Sequence, residues 1–208
     1  MKDNYLPRWL EWAREIQAIS QTGYHYAEND FQRERNLRLS EISAEIIHQH
    51  SNLEQREVKE LFLNQSGYAT PKVDVRGVIF KEHKILLVRE LSDNGWTFPG
   101  GWADVGETPS DAVEREVWEE SGFVVRATRV IGIYDANHVH PYELFHAYKI
   151  IFLCEIVSGE AKTSNETSQI EFFNQDEIPE ILSQERTNIR HIHDAFLAKN
   201  DPNHIVFD

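Results

Sequence analysis

Three carboxylates, Glu116, Glu119 and Glu120, crowd into the stretch REVWEESG at residues 115–122. On a helix turning 100° per residue they project from one side, with Val113 and Val117 forming an apolar stripe beside them. Such a cluster costs stability. Glu116 and Glu120 repel at i,i+4 by about 0.2–0.5 kcal/mol, and carboxylates in a last helical turn oppose the helix dipole by a comparable amount. Arg115 can pair with Glu119 at i,i+4, but one cation cannot balance three anions. A hard divalent cation can, because Mg²⁺ prefers carboxylate oxygens and keeps waters that a phosphate can share. A cation held in this way could in turn bind a phosphate-bearing ligand. The competing reading is an ordinary solvated acidic helix face.

The acidic helix has well-specified ends. Thr108 can cap it, Pro109 suits the first helical position and Gly122 suits a left-handed stop, so the spacing predicts a helix from Pro109 to Glu120. Around it lie strand patterns at 73–80 and 84–90, joined by a short turn at 81–83, and further strands at 123–134, 143–156 and 170–174. A last helix carries Ile189, Ile192 and Phe196 on one face. The first 65 or so residues read differently, as three helical segments. Leu6, Trp9, Trp12, Ile16 and Ile19 pattern the first, with Gly23 as its stop. The second runs from Asp30 to His50, and the third opens with a capping box from Ser51 to Glu54. The small-residue and proline stretch SGYATP, 66–71, divides the chain into a helical domain, 1–66, and an α+β domain with a mixed sheet, 67–208.

Composition removes several function classes. A net charge of -14 argues against a general nucleic-acid binder, which needs a basic footprint, while an anionic substrate stays compatible through metal ions. The longest apolar stretch, IIFLC, is broken by Lys149 and Glu155, and no run reaches the length of a membrane span. The charged N-terminus has no apolar signal region. The single cysteine, Cys154, reads as a buried small hydrophobe. Together these predict a cytoplasmic protein.

Counting onward from Gly101, the chain reads five residues, Glu107, seven residues, then REVWEESGF. This spacing is similar at every fixed position to the signature of the Nudix hydrolases, which cleave nucleoside diphosphates linked to another moiety. The resemblance covers the chain from about Pro71 onward and implies an α/β/α sandwich, a divalent cation (Mg²⁺, with Mn²⁺ as substitute) and attack of water on a phosphorus of the diphosphate. Position by position, Glu116 and Glu120 match the principal metal-binding glutamates, Glu119 a third, and the carbonyl of Gly100 a backbone ligand. Glu107 and Arg115 match residues that brace the loop and helix. Water deprotonation needs a base, either a metal-bound hydroxide or a nearby carboxylate; besides Glu119 the loop SNETSQ offers Glu166, with Glu160 as the alternative.

Substrate choice must lie outside this signature. Trp102, His138, His140 and Tyr142 are candidate contacts that could hold a base, whereas Trp96 and Phe98 read as core. His138-x-His140 and His191-x-His193 each lack a third zinc ligand and read as surface histidines or, for the first pair, substrate contacts. A helical domain followed by a GY-x-TPKVDVRG stretch resembles Nudix hydrolases that include CDP-choline and ADP-ribose pyrophosphatases. CDP-choline, cut to CMP and phosphocholine, is the first choice, with ADP-ribose or another nucleotide sugar as alternative. The helical domain is expected to form a homodimer or, more sharply, to contribute to a partner subunit's pocket. The rival classes are a nucleotide-sensing module without catalysis, disfavoured by the presence of all three glutamates, and an RNA-processing enzyme, disfavoured by the acidic balance.

Overall fold

The computed structural model of the chain describes residues 7–136 and 144–208, which form two compact units. One holds the described residues up to Pro71 together with Leu144–His146, and the other holds the remainder.

The first unit is helical: α1 (Arg8–His25), α2 (Asp30–His50) and α3 (Gln55–Leu63). Ala13, Ala44, Ile47, Val58 and Phe62 form its core, with Trp9, Leu144 and Phe145 packed against it. Ser43 Oγ donates to the Ala13 carbonyl at 2.7 Å and Ser20 Oγ to the Asn36 carbonyl at 2.6 Å, tying α1 to α2 where side chains are small. Two sequence expectations change here. Gly23 does not stop α1. It lies inside the helix, where an added Cβ would sit 2.3 Å from Asn36 Oδ1, so the glycine serves close helix packing. Ser51 does not open α3 either. Its hydroxyl turns back to the Ile47 carbonyl at 2.8 Å, satisfying an orphan acceptor at the end of α2, and Glu54 precedes α3 without a side-chain cap.

The second unit contains β1 (Lys72–Lys81), β2 (Lys84–Glu90), β3 (Trp96–Thr97), α4 (Pro109–Ser121), β4 (Phe123–Asp135), β5 (Ala147–Gly159), β6 (Thr167–Phe173), α5 (Ile189–Asn200) and β7 (Val206–Phe207). The sheet order is β3-β2-β1-β5-β4-β7, with β6 also paired to β2. β1 lies parallel to β5 and β4 parallel to β7, and the other pairs are antiparallel, so the sheet is mixed. β5 starts and ends later than its apolar run suggests, because pairing with β4 continues to Gly159 opposite Phe123.

Period-two alternation sends side chains to both faces. Val75, Ile79 and Leu86 meet Ala112, Val113 and Val117 of α4, while Val78, Ile85 and Leu87 meet Ile192, Ala195 and Phe196 of α5. The result is an α/β/α sandwich. Gly77 lets α4 come close, since a Cβ there would lie 2.4 Å from Val117 Cγ2. Cys154 is buried in the α4-side core, and burial pushes its thiol up to about 12. Ile189 is exposed at the start of α5, so only Ile192 and Phe196 of the expected apolar face reach the core.

Candidate active site

α4 is held where its ends say it should be. Thr108 Oγ1 accepts from the Asp111 N–H at 3.2 Å, Pro109 opens the helix and Gly122 closes it at φ 76. With Val113 and Val117 fully buried against the sheet, the acidic side is turned toward the loop that precedes the helix. That loop lies antiparallel along β1: Gly77 N–H donates to the Pro99 carbonyl, Val75 N–H to Gly101 and Ala103 N–H to Val73, at 2.8, 2.8 and 3.0 Å. Gly100 has φ 145, and a Cβ on it would be 2.1 Å from the Val75 carbonyl oxygen. A Cβ on Gly101 would be 2.9 Å from Glu116 Oε2. Gly100 is therefore required by its backbone conformation and the close approach of β1, while a side chain at Gly101 would displace the Glu116 carboxylate.

Loop and helix enclose a cleft of about 500 Å³ whose lining includes Gly100, Trp102, Glu116, Glu119, Glu120 and Glu166. Gly100 N–H donates to Glu120 Oε2 at 2.9 Å. Burial pushes Glu120 up to about 8 despite Arg76 and that N–H, and it also raises Glu116, against the pull of Arg115. Arg115 braces the cluster. It grips Glu107 with two nitrogens at 2.7 and 2.9 Å, and its Nη1 reaches Glu116 at 2.8 Å and Glu119 at 3.2 Å. The same guanidinium holds Glu107 below the usual carboxylate range.

Beneath the cleft runs an ion network. Arg76 binds both oxygens of Asp74, at 2.8 and 2.7 Å, and Lys149 Nζ stands 3.4 Å from Asp74 Oδ1. All three residues are buried. Burial alone would raise Asp74, but Arg76 and Lys149 hold it below its ordinary range.

Two family models match this chain. One describes the NUDIX domain and covers residues 70–197; the other is described as a UDP-X-like, N-terminal oligomerisation domain and covers residues 7–62. The chain belongs to the Nudix hydrolase family. Among its relatives, YjhB of Bacillus subtilis (strain 168), named as a candidate ADP-ribose pyrophosphatase, is 37% identical, with 86% of this chain and 87% of that protein aligned. A solved ADP-ribose pyrophosphatase from Streptococcus suis 89-1591 is 37% identical with a TM-score of 0.60, over 67% of this chain and 100% of its own. A structure titled as a UDP-X diphosphatase matches 96% of this Nudix chain and 98% of its own, at 30% identity and a TM-score of 0.63.

Of the residues singled out from sequence, Gly100, Trp102, Glu116, Glu119, Glu120 and Glu166 line the one cleft, and Glu107 and Arg115 form the brace beside it. Glu160 lies in a neighbouring groove with Trp118, not in the cleft. His138, His140 and Tyr142 fall outside the described residues. Trp96 and Phe98 are core, as expected. His191 is not a surface histidine. It is buried, and its Nδ1 accepts from the Asn188 N–H at 3.2 Å, completing a capping box for α5. Among the described residues no three His, Cys, Asp or Glu side chains are arranged to hold a metal ion. Glu116, Glu119 and Glu120 are instead engaged by Arg115 and the Gly100 N–H. Sequence reasoning missed Asp74, Arg76, Glu90 and Arg186. The alternation in VDVRG was a usable signal for the first pair, since residues two apart on a strand share a face.

Proposed function

We propose that this Nudix hydrolase cleaves the diphosphate of a nucleoside diphosphate joined to a second moiety, releasing a nucleoside monophosphate. The observation that carries the reading is the gathering of Glu116, Glu119, Glu120, the Gly100 backbone and Glu166 around one cleft of about 500 Å³. Burial opposes ionisation of Glu116 and Glu120, which is the environment a hard divalent cation relieves, so the chemistry of these carboxylates suits Mg²⁺, with Mn²⁺ as substitute, once they turn from Arg115 and the Gly100 N–H toward the ion. Glu116, Glu119, Glu120 and the Gly100 carbonyl would hold it. When bound, the cation neutralises charge on the phosphoryl and leaving oxygens.

The remaining roles fall to the chain itself. Arg115 and Glu107 orient the carboxylates through the bidentate brace. Glu166, on the loop before β6, takes the proton from the attacking water, with Glu119 as the other candidate for that task. Trp102, 42% exposed at the cleft, offers a face on which a base can stack. The helical domain, 1–66, pairs two copies of the chain.

CDP-choline, split to CMP and phosphocholine, is the substrate choice that the sequence resemblance favours. A second reading, ADP-ribose or a UDP-linked compound, is favoured by the names of the relatives that align over most of this chain. A product-resolved screen of CDP-choline, ADP-ribose, UDP-glucose, NADH and short RNA with Mg²⁺ tests the proposal. Release of a nucleoside monophosphate supports it, and tight nucleotide binding with no product refutes it in favour of a sensing module.

A further inference from the structure

Beside any metal, cationic side chains in a cleft can hold the phosphoryl oxygens of a diphosphate through strong charge-assisted hydrogen bonds. Among the described residues lining the cleft, two are cationic, Arg76 and Arg186. Arg76 is committed: it is 3% exposed, binds Asp74 with two nitrogens and also donates to the Phe98 carbonyl at 3.3 Å. Arg186 is the opposite case, a rigid mount with a loose head. Its backbone N–H donates to the Ser183 carbonyl at 2.9 Å, Ser183 N–H donates to Trp96, and the neighbouring Thr187 Oγ1 accepts from Phe98 N–H at 3.0 Å. Among the described residues the guanidinium makes one hydrogen bond, from Nη1 to Ser183 Oγ at 3.1 Å. Its ion pairs, Nε to Glu90 at 3.6 Å and Nη1 to Asp93 at 3.7 Å, are too long for hydrogen bonds. Glu90 completes the picture. Its side chain is 5% exposed, yet Oε1, the atom facing Arg186 Nε, has no hydrogen-bond partner. A buried carboxylate and an arginine thus stand together in the cleft with hydrogen-bonding capacity left open on both.

Resting on the hydrolase reading above, we infer that Arg186 is a substrate-binding residue whose free N–H donors take phosphoryl oxygens of the substrate diphosphate, and that Glu90 keeps the guanidinium turned into the cleft. The test uses the full-length chain and whichever of CDP-choline, ADP-ribose and UDP-glucose the wild type turns over fastest, together with calorimetric binding of ADP. Arg186→Ala raises KM and weakens ADP binding roughly 10- to 100-fold, while Arg186→Lys recovers part of the loss. Arg186→Ala also strands Glu90, so the double variant Glu90→Gln/Arg186→Ala separates the two explanations. A KM that stays raised in the double variant supports substrate binding; one restored to the wild-type value shows that Arg186 only neutralises Glu90 and overturns the inference. An unchanged KM and ADP affinity in Arg186→Ala overturn it as well. If the wild type cleaves none of the three compounds, the hydrolase reading falls, and the ADP arm still decides whether Arg186 binds phosphate.

Discussion

Replacing Glu120 by Gln removes a negative charge at a 5% exposed position while leaving an amide oxygen to accept the Gly100 N–H now bonded at 2.9 Å. Burial raises the Glu120 carboxyl from an ordinary 4.5 to about 8 in the folded chain. The stability associated with its protonated form is therefore fully present below pH 4.5 and is lost progressively as the pH rises toward 8. At pH 7 and 1.36 kcal/mol per unit, the metal-free wild type has given up about 3 kcal/mol that Glu120→Gln retains. In EDTA at pH 7 the variant should melt roughly 6–12 °C above wild type, and at pH 4 the gap should close. At pH 7 Mg²⁺ should then close most of that gap. The wild type gains about 2.7 kcal/mol at a hundredfold excess over Kd, the variant gains little, and its turnover falls by orders of magnitude. Thermal melts by circular dichroism with and without Mg²⁺ at both pH values check this. A metal-free variant no more stable than wild type at pH 7, or equal Mg²⁺ stabilisation of both proteins, would refute the reasoning.

Other perturbations probe the scaffold. His191 is held neutral by burial, pushed down to about 3 from 6.5, so its contribution is fully present above pH 6.5 and is lost on acidification. The wild type should lose about 2 kcal/mol between pH 6.5 and pH 5 from this group alone, and a urea series in which His191→Gln shows the same pH slope would contradict the assignment. Thr108→Ala deletes the α4 cap and should lower the unfolding free energy measured by urea titration by about 1 kcal/mol, with the fold unchanged by circular dichroism. Gly77→Ala places a Cβ 2.4 Å from Val117 Cγ2, which should cost about 1–3 kcal/mol and be relieved by adding Val117→Ala; no recovery in the double variant argues against direct contact.

The legible parts of this chain were those written by local rules. The ends of α4 and the spacing of its carboxylates follow from Thr108, Pro109, Gly122 and helical geometry, and they emerged where expected. Gly23 misled because a glycine inside a helix signals a stop and close packing equally well, and only Asn36 of α2 decides between them. Ser51 misled because its hydroxyl could serve either the helix before it or the one after. His191 and His193 lie about 200° apart on a helix, so one is buried in a cap and the other faces solvent. The approach of Lys149 to Asp74, and the placement of Glu90 beside Arg186, join segments far apart in sequence. Their pairing is a product of topology, which no local pattern encodes.

The central claim is that this cleft adds water across a phosphorus–oxygen–phosphorus bridge. It is tested most directly by ³¹P NMR of the products formed from CDP-choline or ADP-ribose in ¹⁸O-labelled water with Mg²⁺. The account predicts one ¹⁸O in one of the two phosphomonoester products, and no reaction in EDTA or with Glu120→Gln. Intact nucleotide bound to a well-folded wild-type protein, or ¹⁸O incorporation that persists undiminished in Glu120→Gln, would contradict it.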